Sequence, residues 1–400
     1  MKKPYALMAT LIVASLLLGA CAQAAPAVAT SVVKEVQTKV VEVTKIVAGT
    51  PQTVIITATP ESIATQMPAG SLLINGAGAT FPFPLYSRWF YDYAFIDPSV
   101  KFNYQSIGSG GGIKQITAKT VDFGASDAIL NADQYKAAPG IQMFPTVAGA
   151  EAIVVNLKGP DGKPLANPIK FPYTALADIY LGKIKKWNDP VLTAANPDLK
   201  LPDKDIIVVH RSDGSGTTYI FTDFLSRVSQ EWKDKVGVSS SVEWPVGLGG
   251  KGNEGVYGTV SQNEGAIGYV ELAYATQNNA VLNLLQNKAG EYVQPSPETT
   301  QAAMNDFGTE LGDKLAISIV DAPGKSSYPI AGYTYLLNYM DQQDCTKAQK
   351  FLEFFKWALG PAGDKDAVDL KYVPLPDNVK KQVQDKLAQI TCQGKPITSN

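Results

Sequence analysis

Four short segments rich in glycine and hydroxyl residues constrain this chain most, because each lies where an apolar, strand-like run gives way to a helical one. The first is Asn75-Gly76-Ala77-Gly78-Ala79-Thr80-Phe81, ahead of an aromatic-rich stretch. The second is Ile107-Gly108-Ser109-Gly110-Gly111-Gly112, and the third is Phe123-Gly124-Ala125-Ser126-Asp127. The fourth, Arg211-Ser212-Asp213-Gly214-Ser215-Gly216-Thr217, opens a long helical pattern. Strand-like runs fall at 72–74, 121–124, 152–156, 206–209 and 266–270, and helix-like runs at 85–93, 174–184, 218–232 and 348–359. Within 218–232, Phe221, Phe224, Leu225, Val228 and Trp232 share one face. Alternation of this kind predicts an α/β architecture with largely parallel sheets.

Junctions of this composition suit oxyanions. The first turn of a helix leaves backbone N–H groups unsatisfied and carries a partial positive charge. Glycine lets the backbone approach an anion, and Ser or Thr hydroxyls add donors. One such loop caps a helix and no more; four of them, with one Arg and one Asp interposed, point to a binding site.

Catalytic readings find no support. Ser215 lies in Gly-Ser-Gly, which is not a nucleophile elbow. His210 is the sole histidine and precedes Arg211 on a strand, so the two side chains point to opposite faces and His210 reads as a neutral structural residue. Gly76-Ala77-Gly78 is not completed to a dinucleotide fingerprint, because Phe81 takes the third glycine position. Lys251, in Gly249-Gly250-Lys251-Gly252, lacks the Ser or Thr of a nucleotide P-loop. No Cys or His cluster has metal-ligand spacing, and no cofactor is implied.

The amino-terminal segment reads as an export signal. Lys2 and Lys3 precede an apolar run at 6–18, too short to span a bilayer, and Leu18-Gly19-Ala20-Cys21 resembles a bacterial lipobox. Residues 1–20 are then a signal peptide, and Cys21 is the lipidated first residue that anchors the chain to a membrane. Residues 21–70 read as a tether, rich in Ala, Val, Thr and Pro, although Val33, Val36, Val40, Val43 and Val47 also fit a short heptad seam. Without residues 1–20 the chain has 33 basic and 37 acidic side chains, a balance of −4 with no basic block, which excludes nucleic acid as a partner. Cys345 and Cys392 remain as an even pair in an exported compartment, either a disulfide or two unrelated buried thiols.

Taken together, the segments resemble the periplasmic phosphate-binding proteins of the high-affinity phosphate ABC transporter. The resemblance rests on Gly76-Ala77-Gly78-Ala79-Thr80-Phe81-Pro82, Tyr104-Gln105-Ser106-Ile107-Gly108-Ser109 and Val121-Asp122-Phe123-Gly124-Ala125-Ser126-Asp127. It continues in Tyr180-Leu181-Gly182-Lys183-Ile184-Lys185-Lys186-Trp187, Asp213-Gly214-Ser215-Gly216-Thr217 and Gly265-Ala266-Ile267-Gly268-Tyr269-Val270-Glu271, and covers most of residues 72–380 in order. The resemblance implies a two-domain clamp of the type II periplasmic-binding-protein kind, with the ligand in the interdomain cleft. Domain I would combine residues 71–150 with 325–400, and domain II would be 151–324. The implied partners are inorganic phosphate and the permease subunits of an ABC transporter, met by a monomer. Carried over, Thr80, Phe81, Ser109, Asp127, Arg211, Ser215, Gly216 and Thr217 would bind phosphate, with Asp213 holding Arg211.

Asp127 discriminates between ligands on this reading. Phosphate near neutral pH keeps a proton to donate to a carboxylate, whereas sulfate keeps none and would leave a buried carboxylate facing an oxyanion. Alternative readings are a receptor for sulfate, molybdate or tungstate, and a secreted phosphatase. The tether and the Cys345/Cys392 pair depart from the family pattern, and neither falls on a binding position.

Overall fold

The computed structural model describes residues 41–47, 50–56, 71–308 and 311–397. Contacts divide the chain into two units, residues 1–66 and 67–400. In the first, the described residues are two strands, Val41–Val47 and Thr50–Ile56, paired antiparallel from Val41 opposite Ile56 to Val47 opposite Thr50. Their β-branched residues suit a pleated strand better than a helix. Val43 and Val47 of the heptad pattern therefore lie in a strand, while the signal-peptide residues 1–20, Cys21, Val33, Val36 and Val40 lie outside the described residues.

The second unit is built on nine strands. They are β1 (Leu72–Gly78), β2 (Val100–Ser106), β3 (Phe123–Ser126), β4 (Ile141–Asn156), β5 (Ile207–Arg211), β6 (Leu248–Gly250), β7 (Ala266–Glu271), β8 (Ala331–Tyr339) and β9 (Val373–Pro374). Their spatial order is β2-β1-β3-β8-β4-β7-β5-β6, with β9 also on β4. Parallel pairing holds on the two flanks, β2/β1/β3 and β7/β5/β6. The centre corrects the expectation of largely parallel sheets: β4 runs antiparallel to β8, β7 and β9, and β8 antiparallel to β3. Parallel neighbours need a crossover that returns the chain to the same end. Here β4 and β8 pass through the middle as extended segments, and their directions alternate.

β4 joins the two flanks. Residues 141–150 pair with β8, and residues 151–156 pair with β7. All but its last two residues are buried. A register shift at Thr334/Tyr335 falls beside Pro145, which has no N–H to give a ladder; the bulge is how a central strand accepts it.

The helices follow apolar spacing with local exceptions. α1 (Phe83–Ile96) begins on Pro82 and buries Leu85, Tyr86, Trp89 and Tyr93, while Phe90 stacks on Phe102 at 4.8 Å. α2 is Ser109–Thr117 and α3 is Gly216–Val228. The single helix expected over 218–232 is two, because Ser229 turns extended and its side chain caps a second helix, Gln230–Lys235, by accepting from Trp232 N–H at 3.2 Å. The helix expected over 174–184 ends at Tyr180, before Gly182 at φ +71°. α4 (Gly252–Gln262) and α5 (Leu272–Gln277) flank β7, and α6 (Cys345–Ala358) packs Phe351 and Phe354 against α1 and β1 to β3.

Cys345, at the start of α6, is disulfide-bonded to Cys392, 47 residues on. The bond ties the carboxy-terminal segment to the first residue of α6. A Cys345→Ala/Cys392→Ala variant is expected to unfold earlier, by at most about 4 kcal/mol for a closed loop of this length. Thermal unfolding with and without reductant checks this: reductant should shift the parent chain and leave the variant where it is.

Candidate oxyanion-binding site

The four glycine-rich segments converge, although three begin inside strands, the fourth on Arg211, the last residue of β5. Residues 75–78 extend β1, paired with β2 as far as Gly78 opposite Ser106, and residues 123–126 are β3 itself. The chain turns only at 79–82, and this brings Thr80 beneath α4. Thr80 is buried, and its Oγ1 accepts from Asn253 N–H at 3.3 Å and Asn253 Nδ2 at 3.0 Å. With its oxygen occupied as an acceptor, the hydroxyl keeps its own proton to donate. Phe81 turns its ring into the core, 6.2 Å from Tyr372, and its carbonyl accepts from Tyr372 Oη at 2.7 Å. Among the described residues the Phe81 backbone N–H has no acceptor, which leaves it to offer to a ligand.

Two helix N-termini meet at Ser109. Ser109 opens α2, and its Oγ accepts from Asp127 N–H at 3.2 Å and from Gly216 N–H, the first residue of α3, at 3.0 Å. Gly110 N–H donates to Gly214 O at 2.9 Å. Glycine is required at two of these positions. A Cβ on Gly216 would collide with Asp127 Oδ2 and Ser109 Oγ, and one on Gly108, at φ +85°, would collide with Asp213 Oδ2. The close approach brings both positive helix ends to one point.

Ser215 caps α3, its Oγ accepting from Thr218 N–H at 3.0 Å, and Thr217 Oγ1 accepts from Arg211 Nη1 at 3.1 Å. Both hydroxyls keep a proton to give, as Thr80 does. Arg211, 3% exposed, sends Nε to Asp213 Oδ1 at 2.8 Å and Nη2 to Asp213 Oδ2 at 2.6 Å. Its backbone N–H donates to Tyr269 Oη at 3.2 Å. Burial works against the charge on Arg211, but the Asp213 hydrogen bonds and charge outweigh it and raise the guanidinium pKa. The same contact holds Asp213 below the usual carboxylate range despite its burial. Two of the five guanidinium N–H bonds then remain for a ligand.

Asp127 is the exception among these donors. It is 2% exposed; Oδ1 accepts from Thr334 Oγ1 at 2.7 Å, and Oδ2 lies 3.4 Å from Ser109 Oγ. Burial pushes its carboxyl up to about 7, against the Thr334 and Ser109 hydrogen bonds and the Arg211 charge, which pull it down. His210, on the opposite face of β5 from Arg211, stacks on Trp244 at 4.7 Å, and burial lowers its pKa. It takes no part in the cluster.

All eight residues singled out for the anion, with Asp213, lie in or against this cluster. Sequence reasoning passed over the residues that hold them. Thr334 sits in an apolar strand with nothing to mark it. Asn253 follows the Gly249-Gly250-Lys251-Gly252 run, and Tyr269 and Glu271 lie within a segment that the family resemblance did pick out. Tyr274 Oη donates to Thr80 O at 2.6 Å, a second grip on the same turn.

A mixed α/β sheet with helix N-termini gathered at a central crossover is the fold of periplasmic binding proteins. A family model described as a PBP superfamily domain matches residues 25–357. Two solved structures share the fold. A high affinity periplasmic phosphate-binding protein bound with phosphate superposes with a TM-score of 0.64 at 22% identity, covering 78% of this chain and 93% of that one. A phosphate binding protein from Stenotrophomonas maltophilia gives 0.57 at 19%, covering 79% and 94%. In sequence, the phosphate-binding protein PstS of Xylella fastidiosa (strain 9a5c) is 48% identical over 316 residues, 78% of this chain and 84% of that protein. PstS of Methanocaldococcus jannaschii is 36% identical over 332 residues, again 78% and 84%. The chain belongs to the PstS family of phosphate-binding proteins.

The pKa of Asp127 makes the ligand-free fold sensitive to pH. Its folded value lies above the unfolded value of about 3.9, so the stability it contributes is present below about pH 4 and lost as pH rises through about 7. Asp127→Asn should therefore gain on the parent chain between these limits, by at most about 4 kcal/mol at pH 8. Melting curves from pH 4 to 8 check this; a constant offset would contradict it.

Proposed function

We propose that this chain binds inorganic phosphate with high affinity through Thr80, Phe81, Ser109, Asp127, Arg211, Ser215, Gly216 and Thr217, and delivers it to the permease subunits of an ABC uptake transporter. The observation that carries the reading is the donor count. Thr80, Ser215 and Thr217 hydroxyls each accept internally and keep a proton, beside one buried guanidinium and a helix N-terminus. One carboxyl, Asp127, stands among them, as a ligand that itself carries a proton requires. The relatives named as phosphate-binding proteins support the same ligand. The reaction class is binding and release, not turnover.

Closure follows from the crossover. Residues 71–150 with 325–400 form one domain and 151–324 the other, with β4 changing partner at 150/151 between them. Thr80, Ser109 and Asp127 belong to the first; Arg211, Ser215, Gly216 and Thr217 belong to the second. The chain is exported, anchored through a lipid on Cys21, and works as a monomer. A receptor for sulfate or molybdate is the second reading, and Asp127 weighs against it.

Calorimetry of the ligand-stripped chain with phosphate tests the proposal. One-to-one binding is expected. Thr80→Val, which keeps the shape and removes one donor to an anion, should weaken it roughly tenfold or more. Arg211→Ala should cost roughly a hundredfold or more. Phosphate binding that neither change weakens would place the ligand elsewhere.

A further inference from the structure

Glu271 lies outside the cluster that would bind phosphate, yet it reaches that cluster through one side chain. It ends β7 and caps α5: Oε2 accepts from Ala273 N–H at 2.8 Å and lies 2.9 Å from Tyr372 Oη. Its buried Oε1 has no hydrogen-bond partner among the described residues. Tyr372 Oη is also 2.7 Å from the carbonyl of Phe81.

A phenol has one proton, and Tyr372 has two oxygens within hydrogen-bond reach. The Phe81 carbonyl can only accept. If Tyr372 gives its proton to Glu271, a buried carbonyl is left facing an oxygen lone pair at 2.7 Å. If Tyr372 gives its proton to Phe81, the contact with Glu271 needs a proton from Glu271. A carboxylic acid hydroxyl accepts one hydrogen bond and donates another, which is what Oε2 is placed to do.

The surrounding charges favour the same state. Directly opposite Glu271 on β4 is Glu151, fully buried, with neither carboxyl oxygen hydrogen-bonded among the described residues. Asp127 acts on both carboxyls with like charge, and Arg211, which offsets Glu151, is committed to Asp213. Tyr274 and Tyr372 are the phenols beside Glu271, and Tyr180, Tyr269 and Tyr328 surround Glu151. Burial pushes Glu151, Glu271 and Tyr372 well above their ordinary values, which favours the protonated form of each. The backbone contributes too: Glu271 N–H donates to Asn253 Oδ1 at 3.2 Å, orienting the amide that grips Thr80.

We propose that Glu271 is a positioning residue for phosphate: a neutral acid that donates to Tyr372, which commits its own proton to the Phe81 carbonyl and fixes the turn at 80 and 81. The role rests on the phosphate reading above; the protonation state does not.

Infrared difference spectra of the full chain at neutral pH, paired with phosphate calorimetry, separate the two. Glu271→Gln should remove one carbonyl-stretch band of a protonated carboxyl, and Tyr372→Phe should shift that band by removing its acceptor. Both variants should bind phosphate roughly two- to tenfold more weakly with unchanged stoichiometry. Loss of a carboxylate band in Glu271→Gln, or tighter phosphate binding as a buried negative charge is removed, would overturn the proposal. Should Glu271→Gln fail to fold, an unmoved band in Tyr372→Phe overturns it as well. If the parent chain does not bind phosphate, the functional reading and the positioning role both fall, while the band still reports the acid.

Discussion

A guanidinium almost wholly removed from water must be paired, and Arg211 is gripped by both oxygens of Asp213. That pair fixes the character of the site. Breaking it would leave an uncompensated buried charge, a loss of about 3–5 kcal/mol. Intact, it is close to neutral, so an incoming anion meets no large net positive charge. What it would meet at the proposed site is a set of oriented dipoles: the N-termini of α2 and α3, three hydroxyls whose oxygens already accept hydrogen bonds, and the edge of the guanidinium turned from Asp213. Geometry does the holding, in keeping with the mildly acidic balance of the whole chain.

The carboxyl that stands beside this pair, Asp127, depends on the central strands. β4 carries the change of partner, and β8 brings Thr334 to Asp127 just where the register shifts around Pro145. Asp127 is therefore held by a residue about 200 positions away in the sequence, and the 2.7 Å bond from Thr334 leaves its second oxygen facing Ser109 and Gly216. A buried carboxyl fixed in this way needs a proton from its surroundings, supplied either by its own titration or by a ligand.

The four glycine and hydroxyl segments, with Arg211 and Asp213 among them, could be read from residues alone, while the part each residue would play came from the family resemblance. The fold was legible on the flanks and less so at the centre. Only residues 152–156 of β4 looked like a strand, because Pro145 and Gly149 interrupt the apolar run that precedes them; the bulge that admits Pro145 is a tertiary feature. Ser229 hid a helix break inside a continuous apolar face, since that face survives while the backbone turns. The supporting shell was least visible. Thr334, Asn253 and Tyr372 are unremarkable by type and spacing, and they matter only because the fold brings them to Asp127, Thr80 and Phe81. Glu151 and Glu271 carry no local signal for the opposite reason: a buried, protonated acid spells the same as an exposed one.

The central claim is that Asp127 selects a protonated tetrahedral anion. It is tested most directly by the ratio of phosphate to sulfate affinity in the parent chain and in Asp127→Asn, measured by competition calorimetry at pH 8, above the value of about 7 for Asp127, where that carboxyl has given up its own proton. The account predicts phosphate binding that excess sulfate does not displace in the parent, and a ratio in the variant that collapses as phosphate weakens and sulfate begins to compete. Sulfate that competes with the parent chain on equal terms, or a ratio that the substitution leaves unchanged, would contradict it.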